Sequence, residues 1–277
     1  MKDLISSPSN PLIKRLRSLK QRKFREREGS FLVEGIEPVW AAVEKASVET
    51  IVVSPDLLTS ESARQMVENV RAKGVQIVKV RRAVFDSIAE RENPSGIAAI
   101  VRMFDRDIYQ LPVAGYSTFV ALHEVGNPGN LGAIIRTADA VGASGVILIG
   151  ETTDEYHPNA VKASTGALFN VLIVHIETLD TLFGWCASHR LTLVTTSAHA
   201  KQNYTEVPYE LPAVFLFGSE GEGLSEEMLA RGDLAVRIPM SGTATSLNLA
   251  VAVGVLLYEV KRMTEQVYLV REKSDRN

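Results

Sequence analysis

Between Asn127 and Gly150 the chain reads NPGNLGAIIRTADAVGASGVILIG, and this stretch leaves few folds open. A turn rich in Gly and Asn feeds a helix expected over Gly132–Val141. Gly142-Ala143-Ser144 then leads into an apolar strand at Gly145–Ile149. A tight turn before a helix N-terminus is a place where proteins hold anionic or polar ligands. Within the helix, Arg136 stands alone among Ala, Ile and Thr. A cation on so small and apolar a segment calls for a charged or polar partner. The stretch therefore reads as part of a site as well as part of a core.

The same alternation extends in both directions. Upstream, strands are expected at Phe31–Gly35, Glu49–Ser54, Val75–Val80 and Ile97–Arg102, with helices at Val39–Lys45, Ser60–Lys73 and Ala83–Glu90. A basic helix over Asn10–Glu28 precedes them, with Pro11 in its first turn and Gly29 as its stop. Asp105–Tyr116 is polar and irregular, with Pro112 and Gly115. Beyond it, strands at Ser117–His123, Gly145–Ile149, Val171–His175, Leu191–Thr195, Ala213–Phe217 and Ala235–Ile238 alternate with helices, ending in a helix over Leu247–Thr264. Apolar strands separated by helices predict a mainly parallel sheet covered on both faces. The domain plan is 1–105, a linker at 106–116, and 117–277. The charged end, Arg271–Asn277, is expected to fray.

Composition narrows the setting. With 45% hydrophobic and 23% charged residues, the chain has the make-up of a soluble globular protein. The lone cysteine, Cys186, excludes an internal disulfide and a Cys-rich zinc site, and fits a reducing compartment. The five histidines show no metal-ligand spacing, so no metal is expected. The first residues lack a signal-peptide core, and Leu247–Val260 is too short to span a bilayer. A cytoplasmic protein with no membrane partner is the expectation. The formal net charge is only -3, yet Lys14, Arg15, Arg17, Lys20, Arg22, Lys23, Arg25 and Arg27 crowd one stretch, opposed by Glu26 and Glu28. On charge alone, a phosphate-binding face and a merely solvated helix are equal readings.

Two more motifs sit in the second half. Phe215–Ser225, FLFGSEGEGLS, is a strand running into a loop with three glycines in six residues, which lets backbone approach a ligand closely. Ile238–Ala250, IPMSGTATSLNLA, is a strand end, a small-residue loop and a helix start. All three motifs place polar residues at carboxyl ends of strands, the ligand edge of open α/β sheets. None is a P-loop or a dinucleotide fingerprint, which weakens a dehydrogenase or nucleotide-enzyme reading.

In order, NPGNLGAIIRTA, FGSEGEGLS and IPM…SLNLA resemble the SpoU (TrmH) family of RNA ribose 2′-O-methyltransferases, in the SPOUT superfamily. Lys162–Leu168 and Phe31–Gly35 add smaller matches. Asn127, where many relatives have Asp, and Thr245, where an apolar β-branched residue is common, depart from the pattern without breaking it. The resemblance implies an α/β fold: a C-terminal SPOUT-type parallel sheet with a trefoil knot, plus an N-terminal L30e-like α/β domain. It implies S-adenosylmethionine as cofactor, a homodimer, and RNA as partner. 23S-type rRNA is favoured, with tRNA, or a non-catalytic RNA-binding or ribosome-assembly role, as alternatives.

By matching motif positions, Arg136, Glu220, Ser246, Asn248 and Asn130 are the catalytic set. Thr195, Gly218, Ile238, Met240 and Leu247 are the cofactor set. The N-terminal Lys14, Arg15, Arg17, Lys20, Arg22, Lys23 and Arg25 are the RNA-binding set. Arg136 stays protonated and is a poor base, so its role is electrostatic activation and positioning; pairing with Glu220 is its bland alternative. Asn130 and Ser246 are equally readable as helix caps, and Glu220 as a loop carboxylate accepting backbone N–H groups.

Overall fold

The computed structural model describes residues 4–90 and 92–274. In chain order it runs β1 (Leu4–Ile5), α1 (Pro11–Ser18), α2 (Arg22–Glu28), β2 (Ser30–Glu34), α3 (Ile36–Lys45), β3 (Val48–Val53), α4 (Glu61–Ala72), β4 (Gln76–Val80), α5 (Arg82–Asp86) and β5 (Ile97–Arg102). There follow β6 (Thr118–His123), α6 (Pro128–Val141), β7 (Gly145–Ile149), α7 (Pro158–Ser164), β8 (Ile173–Ile176), α8 (Leu179–His189), β9 (Thr192–Thr196), β10 (Gln202–Asn203), β11 (Ala213–Phe217), α9 (Glu226–Ala230), β12 (Leu234–Arg237) and α10 (Leu249–Ser274). Two compact units result. One takes the chain up to Phe104 together with Asp154–Asn170; the other takes Asp105–Thr153 and the chain from Val171 onward.

The first unit is built on a five-stranded sheet, β1-β4-β3-β5-β2, in which β5 runs antiparallel to both of its neighbours. The basic helix expected over Asn10–Glu28 is two helices, broken at Leu19–Gln21. The break has a physical cause. Arg25, only 1% exposed, donates to the carbonyls of Leu19 (3.0 Å) and Lys20 (2.9 Å), satisfying groups that a continuous helix would bond internally. Its other terminal nitrogen, Nη2, donates to Asp154 Oδ2 at 2.7 Å. That ion pair joins residues 129 apart in sequence, and the aromatic rings of Phe31, Phe104, Tyr156 and Phe169 meet beside the same segment, their centroids 4.7–6.4 Å apart. Asp154–Asn170, expected within the 117–277 domain, therefore belongs to the first unit.

The second unit carries a seven-stranded, all-parallel sheet in the order β10-β12-β9-β11-β6-β7-β8. Phe119, Ala121, Ile147, Ile149, Val214 and Leu216 face a core that includes Trp185 of α8. The alternate positions, Val120, Leu122, Val146, Leu148 and Phe215, are buried too. Burial of both pleats is the signature of a sheet covered on two sides. The linker expected at 106–116 is instead part of this unit. Ile108 and Leu111 are buried in its core, and Asp107 caps a single 3-10 turn at Ile108–Gln110. Cys186 lies in the same core, where burial pushes its thiol up to about 12 and leaves it inert.

The last helix begins at Leu249 and continues to Ser274, past the expected end at Thr264. Of the charged end Arg271–Asn277, residues 275–277 lie outside the described residues. Among the described residues, no helix is long and apolar enough to cross a membrane.

Candidate active site

Helix α6 starts at Pro128, four residues before the expected Gly132, because Asn127 caps it. The Asn127 side chain accepts from the N–H groups of Gly129 (2.8 Å) and Asn130 (3.1 Å), with Pro128 at the first helical position. Gly142 ends it in the left-handed conformation, φ +75. Leu131, Ile134, Ile135 and Ala138 form the buried stripe, at the i, i+3, i+4, i+7 spacing of one helix face. Arg136 falls between them on the opposite, exposed face. Among the described residues it makes no ion pair and no hydrogen bond, so the alternative of pairing with Glu220 is not what the structure contains.

Glu220 is engaged elsewhere. Its Oε1 accepts from Asn130 Nδ2 at 2.9 Å, and its Oε2 accepts from the Gly126 N–H at 3.4 Å. Asn130 Oδ1 in turn accepts from Asn248 Nδ2 at 3.0 Å. Asn248 Oδ1 accepts from the N–H groups of Ala250 (3.0 Å) and Val251 (3.4 Å), which caps α10. One relay thus ties all three sequence motifs together: carboxylate, amide, amide, helix N-terminus. It also fixes both amide orientations, since only one assignment satisfies every donor. Neither expected cap is used, because Asn127 caps α6 in place of Asn130, and Asn248 caps α10 in place of Ser246. Desolvation pushes the Glu220 carboxyl up. Hydrogen bonds from Asn130 and from the backbone of Glu220, Gly126 and Asn127 outweigh that, and the group titrates below its ordinary range.

Beside the relay opens a cleft of about 660 Å³, within the range of small-molecule sites. Gly218, Ile238, Met240 and Leu247 line it, and so do Glu220, Ser246 and Asn248. Gly218 is required there. A Cβ at that position would lie 2.1 Å from the Gly223 carbonyl carbon, because the loop folds back through a Ser219–Gly223 bridge, with Gly223 at φ +71. Thr195 does not line the cleft. It is fully buried, and its hydroxyl donates to the Leu234 carbonyl at 3.3 Å. Strand alternation brings the next residue, Thr196, to the cleft instead, its hydroxyl bonded to the Leu216 carbonyl. Sequence reading also missed Arg237, one residue before the third motif. The carboxyl-edge rule applied to β12 would have found it. Among the described residues, no three of His, Cys, Asp and Glu gather as a metal ion would require.

The N-terminal basic set is largely spoken for within its own unit. Arg25 is the buried ion pair already described. Arg15 bonds Glu28 (2.7 Å) and Glu49 (2.9 Å), Lys20 pairs with Glu90 (2.7 Å), and Arg22 with Glu26 (2.7 Å). Arg17 donates to Ser87 Oγ at 2.6 Å. Lys14 and Lys23 are the exposed members without an ion pair among the described residues. A contiguous seven-residue RNA face is therefore not what these side chains form, because Glu28, Glu49, Glu90 and Asp154 fold in against them.

Comparison with known proteins agrees with this geometry. Residues 117–258 match the model of the SpoU rRNA methylase family, and residues 10–99 that of the MRM3-like substrate binding domain. The chain belongs to the SpoU family. It is 34% identical, over 88% of its length and 86% of the relative's, to a 23S rRNA (uridine(2479)-2′-O)-methyltransferase from Streptomyces viridochromogenes. The crystal structure of an AdoMet-bound rRNA methyltransferase from Sinorhizobium meliloti is similar, with a TM-score of 0.86 and 34% identity, over 94% of this chain and 97% of that one. So is the SpoU methyltransferase AviRb from Streptomyces viridochromogenes in complex with AdoMet, with a TM-score of 0.84 and 32% identity, over 92% and 98% of the two chains. As a SpoU methylase within the SPOUT superfamily, the chain combines an N-terminal substrate-binding domain with a C-terminal all-parallel sheet.

Proposed function

We propose that this SpoU methylase transfers a methyl group from S-adenosylmethionine to a ribose 2′-hydroxyl of RNA, with 23S-type rRNA as substrate. The observation that carries this reading is the Glu220–Asn130–Asn248 relay, which joins the cleft loops to the helix bearing an unpaired arginine. The cleft fits the cofactor. Its volume suits a ligand of that size, Ile238, Met240 and Leu247 give apolar surface for a purine, and Glu220 and Glu222 give negative charge for a sulfonium. When bound, S-adenosylmethionine supplies an electrophilic methyl group. Gly218, Ile238, Met240 and Leu247 would hold it, with Thr196 lining the cleft where Thr195 was expected.

The remaining steps belong to this chain's residues. Arg136, exposed and unpaired, lies six residues along α6 from Asn130, about 9 Å along the helix axis. Its guanidinium favours the alkoxide form of the ribose hydroxyl, directly or through an adjacent phosphate, and the proton released passes to solvent. Glu220 is ionised and already engaged by hydrogen bonds, so it orients the loop and Asn130 and does not take up the proton. The Ser246 hydroxyl stands at the cleft rim, open to substrate. The 1–105 region selects RNA through Lys14 and Lys23. The L30e-like character of the first unit, supported by the substrate-binding-domain match of residues 10–99, and a trefoil knot in the second, supported by the strand order of its parallel sheet, complete the reading. A homodimer is supported by Val251 and Tyr258, which stand 50% and 53% exposed on α10.

Tritiated S-adenosylmethionine incubated with 23S rRNA fragments and with tRNA tests the reading. Label on ribose of rRNA is expected. Label on tRNA alone would move the substrate, and no label on any RNA despite bound cofactor would overturn the activity.

A further inference from the structure

Arg237 ends β12 and lines the cleft. Its Nε donates to Asn203 Oδ1 at 3.1 Å, and Asn203 is itself held by donating Nδ2 to Glu206 Oε1 at 2.9 Å. β10 and β12 pair with Asn203 directly opposite Arg237, so amide and guanidinium meet across the ladder. This bond anchors one edge of the guanidinium and leaves the terminal nitrogens available. Among the described residues Arg237 forms no ion pair, and no other Lys or Arg lines the cleft. The other ionisable side chains there are His199, Glu220 and Glu222. The methyl-transfer chemistry makes no use of Arg237.

An anchored guanidinium with free terminal donors matches a carboxylate in both charge and fork geometry. We propose that Arg237 recognises the α-carboxylate of the cofactor's amino-acid portion, and so makes the cleft selective for S-adenosylmethionine over analogues without that carboxylate. The inference rests on the methyl-transfer reading, and it assigns a specificity role to one named side chain. Glu220 and Glu222 supply the complementary charge for the ligand's sulfonium and ammonium groups, so the cleft as a whole matches a zwitterion with an added cation.

Calorimetry on the intact chain tests this with S-adenosylmethionine and its decarboxylated form as probes. The wild-type chain is expected to bind the decarboxylated form about tenfold more weakly, the scale of one charge-assisted pair. Arg237→Gln is expected to bind S-adenosylmethionine about tenfold more weakly with no further loss for the decarboxylated form, so the ratio falls from about ten to about one. Arg237→Lys, which keeps the charge, retains part of the ratio. A merely structural role would weaken both ligands equally and leave the ratio alone. An unchanged ratio in Arg237→Gln, or no discrimination by the wild type, overturns the proposal while leaving the methyl-transfer reading intact. Weaker RNA binding by Arg237→Gln with the ratio preserved assigns the guanidinium to RNA and overturns it as well. Failure of the wild type to bind either probe removes both.

Discussion

Arg25 in the first unit is 1% exposed and bonds two carbonyls and a carboxylate, whereas Arg136 in the second is exposed and bonds nothing among the described residues. Both are helical arginines, and the sequence around Arg25 is by far the more basic. The difference teaches that a cation's availability is set by the carboxylates and carbonyls that folding brings to it. The dense N-terminal cluster is mostly consumed in holding its own unit together. The isolated arginine of α6 is left exposed and without a partner among the described residues.

The comparison can be broken from either side. The largest effect is expected at Arg25. Removing one partner of a buried pair strands Asp154, and Arg25→Ala should lower unfolding free energy by about 3–5 kcal/mol in urea titrations. A loss under about 1 kcal/mol would mean that Arg25 is not the structural residue described. Gly218→Ala comes next. With Gly223 in the way, the loop must shift at a strain of about 1–3 kcal/mol, weakening S-adenosylmethionine binding by about ten- to a hundredfold in calorimetry. Unchanged affinity would detach that loop from the cofactor.

Glu220→Gln sharpens the contrast between a paired carboxylate and an unpaired cation. The new amide has one accepting oxygen in place of two, so an N–H group faces either Asn130 Nδ2 or the Gly126 N–H, and a loss of about 1–2 kcal/mol is expected in loop stability and transfer rate. The pH response follows from the direction of its shift. The carboxyl titrates lower in the folded chain than in the unfolded one, so its stabilisation is complete above the ordinary carboxylate range and is lost as pH falls through the lowered value. Protection of the Gly126 amide, its exchange measured against the intrinsic rate, should therefore be steady through neutral pH and fall only in acid. Loss of protection near neutrality would contradict it. The smallest effect is expected from Lys14→Ala with Lys23→Ala, which should reduce the slope of log affinity against log salt for RNA by about two with no change in stability. An unchanged slope would remove the N-terminal segment from the RNA contact.

How much of this was legible in the sequence differs by region. The strands at Ile97–Arg102, Gly145–Ile149 and Ala213–Phe217 follow the expected bounds, because each is a strongly patterned run with clear stops. The two-residue strands β1 and β10 are too short to show any period. The break at Leu19–Gln21 and the transfer of Asp154–Asn170 to the first unit depend on an ion pair between distant residues, which no local pattern encodes. At the site, ordered motifs picked out residues that the fold brings to one cleft and relay, but not their partners. Asn130 joins Glu220 and Asn248 in place of Arg136, and Thr196 takes the position assigned to Thr195, a one-residue error that strand alternation turns into the opposite face.

The central claim is that Arg136 is unpaired because the substrate is its partner. Single-turnover methyl transfer to a 23S rRNA fragment, measured for Arg136→Ala beside the wild type, tests this most directly. A rate lower by about a hundredfold or more is predicted, with the melting midpoint unchanged because the side chain holds nothing in the fold. A rate within about threefold of wild type would contradict the account.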